Sequence, residues 1–476
     1  MKKNIYIFCS LLLSASVLVA QTAPRTVVCG QISGPVSPKA QILIKPNPFT
    51  NEQLGYEGNV DANGRFSIKV EFPISIEAIF QCGNAQAKLF IEPNDSLYLK
   101  GDSNNWIPTL TYSGTPLATK QNEYLRQFYI NYLDKNIEYG DMNKMRQLEP
   151  PAFRQYTDSL RQVMTQQYDK FKTANAPSAF FDVYAKGQID YDYAIALLDY
   201  PMQHARMNGK QTLDIPNNYY EFLNAISVNN NYAIFTPIYH EFIGKFVEEI
   251  SAQQVINATK DYDYQNLYAD RYDFSKKYLQ GEALNYALTK AMVEGTMRGA
   301  VEKVFAKIED FKKVNTRPEY AQVVDMLYQR YKNIAAGQVA PDFAFKDATG
   351  KEIKLSSLRG KVVYVDFWAT WCGPCKQQFP AERALHKKFE HNPNVVFLTL
   401  STDQQMQTWL NYLTKDPIPG MTCWVGEQYS QVANTYNIAS IPRFLLIDKK
   451  GNIASSSARR PADARIEADI TTLLAQ

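Results

Sequence analysis

Soft metal ligands are scarce in this 476-residue chain, which has six cysteines and four histidines. Cys372-Gly-Pro-Cys375 has the spacing of half a zinc site, and zinc would need a second Cys or His pair at a similar interval. Cys9, Cys29, Cys82 and Cys423, with His204, His240, His386 and His391, form no such pair. No metal and no cofactor are expected. The acidic, aromatic run Asp261–Asp270 lacks the regular ligand spacing of a calcium loop. An excess of charge of one sign is also missing: the net charge is +3, and without Lys2 and Lys3 it is 49 − 48 = +1. That argues against nucleic acid and anionic membrane surfaces as partners. Beyond the N-terminus no apolar run is long enough to cross a bilayer, and no repeat emerges at periods of 34 or 40 residues.

What is present starts with a leader. Met-Lys-Lys-Asn precedes the apolar run Ile5–Ala20, a basic then hydrophobic then small-residue order that predicts a secretory signal peptide over residues 1–20. An uncleaved anchor is the alternative, because the run is near the lower length for spanning. Cys9 lies within this run and lacks the setting of a lipoprotein cleavage site. The mature chain is thus expected outside the cytoplasm, most naturally in the periplasm, where disulfides persist. Five cysteines then remain. Cys29 and Cys82 lie in strand-like runs and are read either as a structural bridge or as two free thiols; Cys423 reads as a buried lone thiol.

Length and 45% hydrophobic residues predict two to four domains with sizeable cores. Residues 21–113 show short alternating runs: Thr26–Ile32, Ala40–Lys45, Arg65–Phe72, Ile74–Phe80, Ala87–Ile91 and Ser96–Lys100. Turn residues such as Asp61-Ala-Asn-Gly64 separate them, so an all-β, sandwich-like domain is expected. Residues 114–335 read as an all-α domain, with helical patterns near 120–134, from 150, and at 177–203, 217–228, 236–250, 264–280, 282–310 and 318–334. Its tyrosine and phenylalanine stripes read as helix packing, with a peptide groove as the sharper alternative. From 336 to 476 strands and helices alternate, which predicts a sheet covered on both faces.

Within that last stretch, Lys361–Lys376 joins an unbroken apolar run to a helix start bearing Cys372-Gly-Pro-Cys375. A buried strand feeding cysteines into a helix N-terminus is a redox geometry, since the helix end favours the thiolate. Together with Ala340-Pro-Asp-Phe343, Gly360-Lys361 at the strand start, Phe367-Trp-Ala-Thr-Trp-Cys-Gly-Pro-Cys375 and Ile441-Pro442 before a later strand, it resembles the thioredoxin superfamily. Within that superfamily the likeness is to extracytoplasmic TlpA/ResA-like thiol–disulfide oxidoreductases.

The resemblance implies a C-terminal α/β thioredoxin-like fold. It implies a redox-active disulfide in which Cys372 attacks and Cys375 resolves. It makes Asp366 the buried acid that moves the resolving thiol's proton, and Pro442 a cis-proline beside which substrate pairs in extended form. Trp371, Ile441 and Arg443 become candidate substrate contacts. Two departures stand out. Gln378 replaces a glutamate common three residues after the second cysteine, leaving proton transfer to Asp366 alone. Arg443 follows the proline where threonine is common, and is read either as a cation facing the dithiol or acidic substrates, or as solvent-facing.

The expected activity is reduction of disulfide-containing protein substrates, with a membrane-linked electron donor to recharge the dithiol. Disulfide isomerisation or oxidation at the same site, and a non-enzymatic envelope binding protein on a thioredoxin scaffold, are the alternatives. A peroxidase would need a threonine where Ala369 stands.

Overall fold

Alternating apolar and polar residues build the N-terminal sheets. In β1 (Thr26–Ser33), Thr26, Val28, Gly30 and Ile32 are buried while Val27, Cys29 and Gln31 are only half-buried, the period of a strand with one face on a core. The other strands are β2 (Lys39–Ile44), β3 (Leu54–Asn59), β4 (Arg65–Val70), β5 (Ile76–Cys82), β6 (Ala85–Ile91), β7 (Ser96–Asp102) and β8 (Thr111–Gly114). They form two four-stranded sheets, ordered β4-β1-β7-β8 and β3-β2-β5-β6. One core joins them, with Val28, Ile68, Leu97 and Leu99 from the first sheet, Ile42, Phe80 and Leu89 from the second, and Trp106. The short alternating runs do not reveal β3 and β8, because glycine-bearing Leu-Gly-Tyr-Glu-Gly-Asn and Thr-Tyr-Ser-Gly carry little apolar alternation.

This computed structural model describes residues 26–476 apart from Asn136, Asn257, Ala258 and Lys260. The signal peptide expected at 1–20, and Cys9 with it, lie outside the described residues. Among the described residues no helix is long and apolar enough to cross a membrane.

The bridge between Cys29 and Cys82 is not made; both are free thiols. The period of the strands explains this. Cys29 is on the face of β1 opposite Val28 and the core, whereas Cys82 in β5 is buried with the core. The edge strand β6 is closed by a helix, Pro116–Asn131. Asn122 is buried there, accepting from the Phe90 backbone N–H at 2.9 Å and donating to the Phe90 carbonyl at 2.8 Å. An otherwise unpaired strand edge is thereby satisfied.

The described chain divides into two compact units, one reaching Pro216 with Phe235–Ile238, the other holding Asn217–Ile234 and Tyr239–Gln476. The helices read from the sequence as one stretch are thus shared between two units. In the second unit the pattern read as one helix over 282–310 is broken into Gly281–Met297, Val301–Phe305 and Ile308–Val314. Gly299, at φ +89°, makes the first break, a conformation that favours glycine. The rest of this unit carries β9 (Ala344–Lys346), β10 (Glu352–Lys354), β11 (Val362–Trp368), β12 (Val395–Ser401), β13 (Met421–Trp424), β14 (Arg443–Ile447) and β15 (Ile453–Ser455). They form one seven-stranded sheet, β10-β9-β13-β12-β11-β14-β15. β11 lies inside the sheet, parallel to β12 and antiparallel to β14.

Arg443 corrects an expectation. Its side chain is neither solvent-facing nor a free cation at the dithiol: the residue is buried, 8% exposed. Its guanidinium donates to the carbonyls of Arg298 (Nη1, 3.2 Å) and Ser456 (Nη2, 2.6 Å). Burial lowers its pKa to about 10, with the Glu302 carboxylate opposing. A long buried cation must spend its donors on nearby acceptors, and here they are backbone carbonyls. The same helical turn is fastened twice more. Asn437 Nδ2 donates to the Thr296 carbonyl at 2.6 Å, and Glu302 Oε1 accepts from both N–H and hydroxyl of Ser456. Further along, Arg459 grips the Asp263 carboxylate with both guanidinium ends, at 2.5 and 2.7 Å.

Two outcomes are expected. Alkylating the denatured, unreduced chain and mapping its peptides should label Cys29, Cys82 and Cys423; a Cys29–Cys82 cross-linked peptide would contradict the opposite-face placement. In Gly299→Ala the new Cβ would lie 1.8 Å from Arg443 Nη1 at a positive φ. This change should destabilise the second unit by about 2 kcal/mol or more, read as a lowered thermal midpoint against Gly337→Ala, whose Cβ would meet nothing within 4 Å.

Candidate active site

Seven consecutive buried residues make β11, which only a strand with neighbours on both edges and cover on both faces can do. Its two faces separate cleanly. Val363, Val365 and Phe367 belong to one cluster with Leu400, Tyr436 and Leu445. Tyr364, Asp366 and Trp368 point the other way, towards the helix Phe379–Phe389. That helix meets them in order: Phe379 packs edge-on to Trp368 at 5.1 Å, and Leu385 shares a cluster with Tyr364 and Phe397.

The strand ends in a loop that delivers the dithiol. Asp403, buried at the end of β12, accepts from the Thr370 N–H and hydroxyl, and from the Ser401 hydroxyl; its carbonyl accepts from the Trp424 indole. Cys372 and Cys375 are joined as a disulfide with Cα atoms 5.3 Å apart. Cys372 caps the short helix Gly373–Lys376, its Sγ accepting from the Cys375 N–H at 3.1 Å. The helix read as continuous from Lys376 instead breaks at Gln377–Gln378 and resumes at Phe379, with Pro380 in its first turn. Cys375 is wholly buried, Cys372 is 4% exposed, and the neighbouring Trp371 is 71% exposed. Ile441 and Pro442 are half-buried, and the peptide between them is cis. Pro442 adjoins Arg443, the first residue of β14 and the register partner of Phe367 on β11.

Asp366 does not stand alone, contrary to the expectation. It is buried, neither carboxyl oxygen has a hydrogen-bond partner, and Thr399 is its register partner on β12. The Thr399 hydroxyl donates to Glu382 Oε1 at 3.3 Å. Glu382 is buried too, on the helix face between Phe379 and Leu385 that lies against β11. Burial and the nearby Glu382 carboxylate raise Asp366 well above the carboxylate range. Burial also raises Glu382, to about 7, with the Thr399 hydrogen bond and the Arg383 charge pulling the other way. Gln378, where a relay glutamate was sought, leaves its Oε1 buried without a partner.

Glu382, Thr399 and Asp403 therefore join this centre, and the sequence reading missed all three. A helical signal was available for Glu382, four residues after Gln378 and seven after Cys375, two turns along one face. Cys423, in the strand β13, is buried, and burial pushes its thiol up to about 12. That makes it inert as a nucleophile. Among the described residues no cluster of His, Cys, Asp and Glu could hold a metal ion.

Known proteins point to the same chemistry. The Redoxin family model matches residues 335–470. The thiol-disulfide oxidoreductase ResA of Geobacillus kaustophilus is 33% identical over 121 residues, covering 25% of this chain and 67% of that protein. Thioredoxin-like protein YneN of Bacillus subtilis is 32% identical over 133 residues, covering 27% of this chain and 76% of that protein. A solved thioredoxin-family thiol:disulfide interchange protein from Chlorobium tepidum is 26% identical, covering 29% of this chain and 95% of that one, with a TM-score of 0.25. On the dithiol at the end of its buried strand, on the Redoxin match and on the likeness to ResA and YneN, the chain belongs to the thioredoxin superfamily, as a ResA-like thiol–disulfide oxidoreductase.

Proposed function

We propose that this chain works outside the cytoplasm as a reductant of protein disulfides, through Cys372 and Cys375. The observation that carries the reading is the bonded pair itself, with Cys375 closed off and Cys372 beside the exposed Trp371. Of the two, only Cys372 keeps any exposure, 4%, so it is the one a substrate can reach, and Cys375 is held for the second step. The Gly-Pro dipeptide between them is that of thioredoxin, whose potential of about −270 mV is reducing, against about −120 mV for a strong oxidant. The basic and apolar leader Met1–Ala20 supports the location.

In the reduced chain the Cys372 thiolate attacks one sulfur of the substrate disulfide. A Cys372–substrate bond forms, and the other substrate sulfur leaves with the electron pair and takes a proton. Cys375 gives up its proton and attacks Cys372 Sγ; the Cys372–Cys375 bond forms and the second substrate sulfur leaves as a thiol. Asp366 is the buried acid that helps move the Cys375 proton. Pro442 and Ile441 present backbone to an extended substrate segment, and Trp371 packs on it. Arg443, committed to the Arg298 and Ser456 carbonyls, is left out of that contact surface. A membrane-linked donor returns two electrons and two protons to the disulfide. The two sheets of β1–β8 and the helices after them serve recognition or spacing, as a sandwich-like domain and a helical domain ahead of the thioredoxin-like one.

Insulin reduction with dithiothreitol tests this. The wild-type chain should accelerate precipitation, Cys372→Ser should fall to the uncatalysed rate, and Cys375→Ser should accumulate a mixed disulfide visible by mass. Equal rates for wild type and Cys372→Ser would sink the reductase reading. A measured potential near about −120 mV would turn it towards oxidation.

A further inference from the structure

Two carboxyl groups on one buried face are more than a single proton acceptor requires. Asp366 lies on β11 between Tyr364 and Trp368, and Glu382 lies on the facing helix between Phe379 and Leu385. Because Phe379 meets Trp368 and Leu385 meets Tyr364 in the same packing, Glu382 falls opposite Asp366. Thr399 links them, as register partner of one and hydrogen-bond donor to the other. Three carboxyl oxygens, both of Asp366 and Oε2 of Glu382, are buried with no hydrogen-bond partner.

The surroundings of the two acids differ. Glu382 has the Thr399 hydroxyl and the charge of Arg383, its neighbour on the helix, which is paired with Asp416. Asp366 has neither. On its own strand the nearest titratable group is Tyr364, whose phenol donates to the Arg459 carbonyl at 2.7 Å. From the helix face, His386 lies a turn beyond Glu382 with its ring against Phe397. From β14 the facing residues are Phe444 and Leu446, which carry no charge. Towards the dithiol, Cys375 is tied up in the disulfide and carries no charge. Two like charges so close in a dry site cannot both be maintained at neutral pH, so one proton is kept and the acid whose anion is stabilised by Thr399 and Arg383 ionises.

We propose that Glu382 is a positioning residue for the dithiol: it carries the single negative charge of the carboxyl pair and so keeps Asp366 protonated through neutral pH. The proposal rests on the reading of Cys372 and Cys375 as the reacting pair. In the resolving step the Cys375 thiol passes its proton to the singly charged pair, which becomes neutral. Cys375 Sγ then bonds to Cys372 Sγ, and the Cys372–substrate bond breaks with its electron pair on the substrate sulfur, which takes a proton from solvent. The pair later returns its proton to solvent. The departure at Gln378 is thereby compensated one turn further along the helix.

The test is infrared titration of the full oxidised chain, following the stretch of protonated carboxyl groups. Among the described residues the other carboxyl raised by burial is Asp95, to about 6, so it is ionised at pH 8. At that pH the wild type should show a protonated-carboxyl band that Asp366→Asn removes. In Glu382→Gln the same band should titrate away at a pH lower by about one unit or more, and Glu382→Asp, which keeps the charge, should stay closer to wild type. A purely structural role for Glu382 would change the melting temperature without moving that titration. An unmoved band in Glu382→Gln overturns the proposal. So does the absence of any Asp366 band at pH 8 in the wild type, which decides the matter even if Glu382→Gln fails to fold. No substrate is involved, so a chain inert towards insulin can still pass and one active on insulin can fail.

Discussion

The burial of β11 along its whole length is the constraint on which the rest of the second unit depends. A strand with no exposed residue from Val362 to Trp368 must be paired on both edges and covered on both faces. β12 and β14 supply the edges, and the helix Phe379–Phe389 covers the face that carries Tyr364, Asp366 and Trp368. The dithiol follows directly from the end of that strand, so its position is inherited from the most rigid element available. The same burial removes Asp366 from water, where a carboxylate is costly. One packing decision therefore sets both the place of the sulfurs and the protonation of the acid next to them.

The thioredoxin-like stretch is not self-contained in this chain. Its β14 begins with a buried guanidinium that closes on the carbonyl of Arg298, at a turn between two helices that precede the fold. Gly299 is there because any side chain would occupy the space of that guanidinium. Asn437, five residues before Pro442, is tied to the same turn through Thr296. The loop that carries the cis peptide is thus braced by residues upstream of the stretch that the Redoxin family model matches. Bidentate pairing of Arg459 with Asp263 extends the brace along β15 and the following loop. Such a half-buried pair fixes orientation better than it adds stability.

Much of this was legible in the sequence, for reasons that differ by element. β11 and β12 are readable because continuous apolar runs have few other uses. The alternation in β1, β4 and β5 is readable because one face is wet. β8 and β13 are short, β3 is interrupted by glycines, and nothing but their neighbours makes them strands. Cys372 and Cys375 declare themselves by spacing, whereas Glu382 does not: a glutamate beside Arg383 on an amphipathic helix reads as solvent-facing charge. Arg443 was visible as an unusual residue, but its direction depends on Arg298 and Ser456, 145 residues before it and 13 after it. No local pattern carries that information.

Chemically alike side chains become distinct here through their neighbours. Asp366 and Glu382 share one desolvated space, with Thr399 as strand neighbour of the first and hydrogen-bond donor to the second. A hydroxyl and a nearby guanidinium single out Glu382, while Asp366 receives nothing that would stabilise its anion. An isolated buried acid would have to be either ionised at a large cost or neutral and poor as a base. A pair that holds one proton and one charge avoids both extremes, because the unit can take up or release a proton at modest cost around neutrality. Such an arrangement suits thiol–disulfide exchange, in which the resolving sulfur must shed a proton when it attacks and recover one when the disulfide is reduced again.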